Sequence, residues 1–460
     1  MSTLQKKRIR GWMFFDWAQQ PYATLGLTFI FAPYFASVAA DHFAGTGMST
    51  DDANAQAQGL WSSAQTLSGL FFALSAPVLG AWADASGRKA PWFYAFTAIG
   101  VICAFMLWGL LPDGTGLMMA LIAFWVGYTA SESAFNLNNA ILPSLGTADE
   151  VGRISGGATA FGYWGGVLSL FLMLLLLAEN DKGVTLLGNP PAFGLDPEMR
   201  EGTRSVGPVI GLWFAVFMIP FFLYVRDDPT EKRARPGMGT VLRDLGQTLR
   251  QTVQRRSLFW FLIASMLYRD ALTAMYSYGG IYAKLVLGWE VVEVGVFGVI
   301  AAIAAAVLSW IGGIADQRMG PKPVITACIL ALIVVGCIIV GMSRQSIFGI
   351  AMAEGSRMPD IIFYICGAII GGAGGAMYSA SRSLMVRHTD PDHPAEAFGL
   401  FALTGKATAF LAPGLITVFT LATHSNQLGF LPVIFLFLLG LLLLVWVKPD
   451  GDRAVWSAPS

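Results

Sequence analysis

Charge is what this chain has least of. Only 13% of its 460 residues are Asp, Glu, Lys or Arg, against 55% hydrophobic, and the apolar residues fall in blocks near the ~20 residues that cross a bilayer as a helix. That pattern excludes a soluble domain. The 29 basic and 29 acidic residues cancel, which removes the electrostatic case for a nucleic-acid partner. Cysteine is scarce too: Cys103, Cys328, Cys337 and Cys366 lie inside apolar blocks without metal-ligand spacing, so neither a disulfide nor a metal site is expected. The four histidines, His42, His388, His393 and His424, sit in loops or at block ends. A membrane-embedded enzyme acting on lipids would need a nucleophile with a base, or a metal cluster, and neither is evident. The chain is therefore read as no enzyme, and no cofactor is implied.

What is present is hydrophobic length. Apolar blocks bounded by Gly, Pro and charge give twelve transmembrane helices at 12–40, 58–83, 91–111, 117–143, 155–178, 207–226, 257–286, 291–315, 323–343, 359–384, 398–422 and 427–447. The fold class is all-α integral membrane, in two pseudo-symmetric six-helix bundles. The expected domains are an N-terminal bundle over 1–225, a cytoplasmic linker over 226–256, and a C-terminal bundle with its tail over 257–460. With a cytoplasmic amino terminus, most lysines and arginines fall in inner loops. Outside would lie only Lys182, Arg200, Arg204, Lys284, Arg344 and Arg357. The positive-inside rule then puts both termini in the cytoplasm, in a plasma (inner) membrane. A cleaved signal peptide ending at SVAA, Ser37 to Ala40, competes for the first block. Its length, and the interruption by Asp16 and a Gln pair, suit a retained first span better.

Two short sequences punctuate this pattern. GAWADASGRK, Gly80 to Lys89, separates two apolar blocks, and a degenerate copy, GGIADQRMGPK, recurs at Gly312 to Lys322. The copies lie about half the chain apart, which reads as an internal duplication of the kind that builds carriers. DEVGRISGGAT and PAEAFGLFALTGK, sharing Gly152 and Gly399, support the repeat. The linker contains VLRDLGQTLRQTVQRR, where Val241, Leu242, Leu245 and Leu249 form one helical face. A tether lying against headgroups explains it.

Polar groups inside the blocks carry the functional reading. A charge near a helix centre costs roughly 2.5–3.5 kcal/mol on insertion scales, so it normally faces a cavity or a partner. Asp16, Glu132, Arg269, Asp270 and Lys406 are so placed. Helical spacing adds Gln20 to Asp16, Asn136 and Asn139 to Glu132, and Thr273 and Ser277 to Asp270. Tyr378 and Arg382 share a face of span 10, where the arginine either snorkels to headgroups or lines a cavity. Polar stripes on spans 1, 4, 7 and 10 suggest a shared aqueous path; internal ion pairs among Arg269, Lys406, Asp270 and Glu132 are the structural alternative. Gly367, Gly371 and Gly375 form a small-residue seam for a neighbouring helix.

GAWADASGRK resembles the signature loop between spans 2 and 3 of the major facilitator superfamily, with Gly80, Asp84, Gly87, Arg88 and Lys89 at matching positions. FFDWAQQPYATLGLTFIFAPYF, FNLNNAILPSL, GRISGGATAFGYWGG, YRDALTAMYSYGGIYA and SRSLMVRHTDPDHPAEAFGLFALTGKATAFLAPGL together resemble the branch containing the autophagy-related vacuolar amino-acid effluxer and its prokaryotic relatives. The resemblance implies a two-bundle carrier working by alternating access, with solute near the midplane between the halves. It implies a cytoplasmic gate in which Asp84 pairs with Arg88 or a nearby helix terminus, with Asp316 and Arg318 doing the same in the second half. Glu132 in span 4, and Tyr163 after Gly162 in span 5, depart from the arginine and Gly-Pro pair of proton-coupled drug exporters. A multidrug antiporter is disfavoured.

The expected function is secondary transport of a small polar solute, an amino acid before a sugar, nucleoside or lipid. Glu132 or Asp270 opposite Arg269 or Lys406 would complement a zwitterion, and a proton or sodium ion is the expected co-substrate. A non-transporting sensor or assembly subunit is the competing class. The other partner is the lipid bilayer; the sequence fixes no oligomeric state.

Overall fold

The computed structural model describes residues 2–180, 182–227, 238–289, 291–353, 355–408, 411–425 and 427–452. Among them, eleven helices are long and apolar enough to cross a membrane. Spans 1 to 6 are Thr3–Gly45, Thr50–Ser86, Ala90–Gly109, Leu117–Ser144, Ala148–Leu177 and Glu201–Tyr224. Spans 7 to 11 are Arg256–Lys284, Glu293–Met319, Pro321–Gly341, Met358–His388 and Pro394–Thr423. A shorter apolar helix, Leu428–Leu444, is the twelfth. A two-residue hairpin between spans 9 and 10, with Ile347 paired to Ile350, is the only sheet among the described residues.

Span 1 is not uniform. An α-helix over Thr3–Pro21 passes into a π-helix over Tyr22–Phe29, then an α-helix over Phe31–Gly45. Pro21 has no N–H to give the carbonyl four residues back, which is that of Trp17. The Trp213 indole of span 6 fills the gap, its Nε1–H donating to Trp17 O at 3.1 Å. Trp213→Phe keeps the ring and removes that donor, so it should destabilise the protein by about 1–3 kcal/mol. A lower thermal midpoint checks it; an unchanged midpoint would mean that the carbonyl finds another donor.

Span 2 starts at Thr50, eight residues before the apolar block. Ser49 and Asp52 close its first turn, Asp52 N donating to Ser49 Oγ at 3.2 Å and Ser49 Oγ to Asp52 Oδ2 at 2.7 Å. Hydropathy reports only the apolar part of such a helix. Span 11 differs more: it is two helices, Pro394–Ala407 and Leu411–Thr423, where a continuous one was expected. Pro413 explains the position of the break. It is tolerated in the first turn of a helix, where no N–H is needed, but would cost a bond in an unbroken one.

The two punctuating loops have the same backbone device. Gly87 (φ +63°) follows the last residue of span 2 and Gly320 (φ +83°) the last of span 8, a left-handed position that glycine occupies without steric cost.

The residues pack as two compact units: Met1–Phe72, Gly87–Asn138 and Phe161–Lys232, and Ala73–Ser86, Asn139–Ala160 and Arg233–Ser460. This grouping departs from the sequence division at 73–86 and 139–160. Glycines there accept backbone from later helices: a Cβ on Gly80 would run into Ala395 O, and one on Gly156 would lie 2.5 Å from Gly313 Cα and 2.6 Å from Ser309 O. The expected seam on span 10 also meets a neighbour. Gly367 faces Phe297 and Gly371 faces Ala301 O, both of span 8. The linker helix is formed over Met238–Gln254 with Leu245 buried; the side chains of Val241, Leu242 and Leu249 lie outside the described residues.

Candidate functional site

The polar residues inside the spans resolve into three clusters. In the first unit, spans 1 and 4 meet through Asp16, Gln19, Glu132 and Asn138. Gln19 Nε2 donates to Glu132 Oε1 at 3.2 Å, and Asn138 Nδ2 reaches Asp16 Oδ1 at 3.5 Å. Trp12 Nε1 fixes the end of span 4 by donating to Asn138 O at 2.7 Å. Two glycines of span 5 let this side of span 1 approach, Gly162 facing the Asp16 backbone and Cβ and Gly166 facing Gln20 and Thr24. Asp16, Gln19, Asn136 and Asn138 are buried. Asn138 Oδ1 has no hydrogen-bond partner, and an orphaned buried acceptor of this kind is uncommon. Gln20 donates along its own helix to Thr24 Oγ1 at 3.4 Å.

The second cluster surrounds Arg382, in the second unit. Its side chain is 0% exposed, which overturns snorkelling. Nε donates to Ser155 Oγ at 3.1 Å, Nη1 to Asn139 Oδ1 at 3.1 Å, and Nη2 to Ser155 O at 2.9 Å and Thr159 Oγ1 at 2.6 Å. Tyr378 lies with its ring centroid 5.7 Å from the guanidinium carbon. Ser155 Oγ also donates to Ser379 O at 2.9 Å. Span 10 is thereby joined to the end of span 4 and the start of span 5 through one cation.

The third cluster is the break in span 11. Arg269 Nη1 donates to Phe401 O at 3.0 Å and its guanidinium lies 4.3 Å from the Phe401 ring centroid. Its neighbour Asp270, buried, accepts from Ala412 N at 3.1 Å. The second helix begins with partial positive charge, so the Asp270 carboxylate meets a complementary helix start, while Arg269, from the adjacent position of span 7, bonds a carbonyl in the body of the first helix. Arg269 and Asp270 thus engage backbone groups of span 11 rather than each other. Lys406, half-buried, occupies the last turn of the first piece. Thr273 is a further correction. It is exposed and its hydroxyl donates back to Arg269 O at 2.9 Å, so its face of span 7 is not the one Asp270 buries.

Outside these clusters, aspartates sit at the ends of other helices. Asp84 Oδ2 accepts from Glu396 N, in the first turn of span 11, at 2.9 Å. Asp227 holds the start of span 3, accepting from Lys89 N at 3.0 Å and Ala90 N at 2.9 Å. Asp316 is buried against Gly152 of span 5, where even a Cβ would collide with its carboxylate. Arg318, expected beside Asp316, is exposed; Arg387 supplies the cation near Asp316 instead. Arg88 is exposed as well. Gln19, Asn138, Ser155, Thr159 and Asp227 were not singled out by sequence. Gln19 and Asn138 stand beside chosen stripe residues, and only the packing says which neighbour turns inward.

Apolar helices of spanning length, with polar side chains sequestered inside the spans and glycine-turned loops between them, define a multi-pass membrane transporter of the major facilitator type. The chain belongs to the family described as Vacuole effluxer Atg22 like, whose model matches residues 4–454. The MFS-type transporter YxiO of Bacillus subtilis (strain 168) is 24% identical over 461 residues, covering 98% of this chain and 96% of that protein. Autophagy-related protein 22-1 of Aspergillus niger is 25% identical over 327 residues, 66% of this chain and 48% of its own length; the chain thus matches about half of that fungal relative. In fold it is similar to the human organic anion transporter MFSD10, with a TM-score of 0.67 at 16% identity over 96% of this chain and 100% of that one. The proton:xylose symporter XylE gives a TM-score of 0.67 at 12% identity, over 99% and 98%.

Proposed function

We propose that this transporter moves a small zwitterionic solute, an amino acid before any other class, by alternating access, with a proton as co-substrate. The observation that carries the proposal is the cluster of spans 1 and 4. Asp16 and Glu132 supply carboxylates for an ammonium group, Gln19 and Asn138 supply amides, and Asn138 Oδ1 is a buried acceptor still without a donor. A solute ammonium satisfies that acceptor. Gln20, Asn136 and Asn139 border the cluster along the same helices. In the second unit Arg269, Asp270, Tyr378, Arg382 and Lys406 are candidates for positioning or coupling. A carboxylate that is dry in one state and wet in another changes its proton affinity, which is the physical basis for coupling.

The Asp84 bond to span 11 supports a gate formed by Gly80, Asp84, Gly87, Arg88, Lys89 and Asp316, with Arg387 in the place expected of Arg318, on the cytoplasmic side of a plasma (inner) membrane, with both termini cytoplasmic. In liposomes holding the purified protein, labelled amino acids should enter saturably and faster with an imposed pH gradient. Glu132→Gln and Asp16→Asn should each reduce uptake by about 10–100-fold, the effect of losing one hydrogen bond to a charged group, without lowering the thermal midpoint. Uptake indifferent to the gradient and to Glu132→Gln and Asp270→Asn removes the proton; a response to sodium alone replaces it. If a sugar or nucleoside enters and amino acids do not, the substrate class is wrong.

A further inference from the structure

The first unit has a second feature, remote in chemistry from the polar cluster. A groove of about 530 Å³ opens where spans 3, 5 and 6 end together, lined chiefly by Phe105, Trp108, Leu177, Phe193, Leu195 and Leu212. That volume lies within the ~300–1,000 Å³ of sites that enclose a small molecule. Its one hydroxyl, Ser205, is already used, donating to Gly202 O at 2.5 Å. A polar solute finds no partner there.

The walls run into the lipid-facing surface without a rim. Phe105 is 47% and Leu212 60% exposed, and Ile102, Val216 and Ile219 continue the exposed apolar faces of spans 3 and 6. The loop before span 6 overhangs the groove and exposes Leu186, Leu187 and Phe193, the last at 92%. Phe193 has φ +63°, a conformation that costs a non-glycine residue energy. An exposed phenylalanine held this way belongs against hydrocarbon, not water.

The frame is prebuilt. Thr203 donates to Glu179 through N–H at 3.2 Å and through Oγ1 at 2.7 Å, and Arg200 pairs with Glu179 at 3.5 Å. Arg204 donates to Trp108 O at 2.7 Å and to Met199 O at 3.2 Å, its guanidinium 4.7 Å from the Trp108 ring centroid. These bonds tie the loop to the floor of the groove.

We infer that this groove is a docking site for one acyl chain of a bilayer phospholipid, entering at the depth where spans 3, 5 and 6 end. Continuity with the lipid-facing helix faces selects the occupant. Trp108 reports on it directly. Phosphatidylcholine with brominated acyl chains, titrated into detergent-solubilised protein, should quench a saturable component of the tryptophan emission that is absent in Trp108→Phe. Val209→Phe with Leu212→Phe fills the groove without adding an indole, and should weaken half-saturation at least about tenfold while leaving amino-acid uptake in place. Should the double variant not fold, the difference between wild type and Trp108→Phe decides alone. Quenching of Trp108 that rises without saturation, or equally in the filled variant, overturns the site. So does an unquenched Trp108 in a protein that light scattering shows to be dimeric, because a second copy then covers the groove.

Discussion

Removing the acceptors around Arg382 is expected to damage the protein more than removing the arginine. Asn139→Leu combined with Thr159→Val takes away two of the groups that hold the guanidinium at 3.1 and 2.6 Å, in a position with 0% exposure. Each hydrogen bond to a charged group contributes about 1.5–3 kcal/mol, so losing these two while the Ser155 bonds stay costs about 3–6 kcal/mol. Arg382→Met removes the charge and fills much of the volume, leaving neutral acceptors at about 1–3 kcal/mol for those that stay orphaned. Arg382→Lys is intermediate, since an ammonium cannot reproduce the planar fork that reaches Ser155, Asn139 and Thr159 together. Unfolding followed in detergent should therefore rank the Asn139/Thr159 pair lowest, then Arg382→Met, then wild type. The decisive measurement is the combination: adding Arg382→Met to the Asn139/Thr159 pair should restore stability, because the under-bonded charge is gone. If the triple variant is weaker than the pair, the arginine is not the charge those groups serve, and a purely packing role replaces this one.

The same cluster shows how far residues alone lead. Spacing of four put Tyr378 and Arg382 on one face, and the structure keeps them there. Whether the arginine reached headgroups or the interior depended on Ser155 and Thr159, and those hydroxyls sit in SGGAT, a segment that reads as glycine packing. Their partner lies more than two hundred positions away, and no periodicity encodes that distance. Span 1 gave a similar mixture. Asp16 and the Gln pair marked it as polar, but the choice of Gln19 over Gln20 as the residue reaching Glu132 depends on helix phase. The break in span 11 was visible in principle as Pro413 following Gly405. A hydropathy window averages across the end of one helix and the start of the next, so the apolar total hid it. Asp84 and Asp270 were chosen as charges. What they meet is the start of another helix, a partner with no side chain and hence no sequence signal.

Gly156→Leu should cut transport about a hundredfold while leaving a folded protein. A Cβ at Gly156 falls 2.5 Å from Gly313 Cα and 2.6 Å from Ser309 O, and both obstacles are backbone. A side chain in the way would rotate aside; a helix backbone has to move as a whole. Overpacking that can relax costs about 1–3 kcal/mol, and here the relaxation available is for the start of span 5 to part from span 8. If alternating access requires those segments to close at one stage and part at another, the variant retains the parted stage and loses the closed one. Three kcal/mol is roughly a hundredfold in a population, so turnover should fall by about that factor. Solute-dependent thermal stabilisation should survive, which separates a locked carrier from an unfolded one. A bridge from the start of span 5 to the tail, which is bonded to the end of span 10 through Asp452 N and Arg387 O at 3.1 Å, reads whether span 5 has parted from the second unit's later helices. Asp149, near the start of span 5, and Asp450, in the tail, both lie near Arg387, at 4.0 and 3.1 Å from its guanidinium nitrogens. With Cys337 replaced by serine, cysteines at 149 and 450 should be joined by a short bis-thiol reagent, and Gly156→Leu should prevent it. Equal crosslinking with transport intact would show that the Gly156 contact is incidental to the cycle, and that the closed stage is held elsewhere.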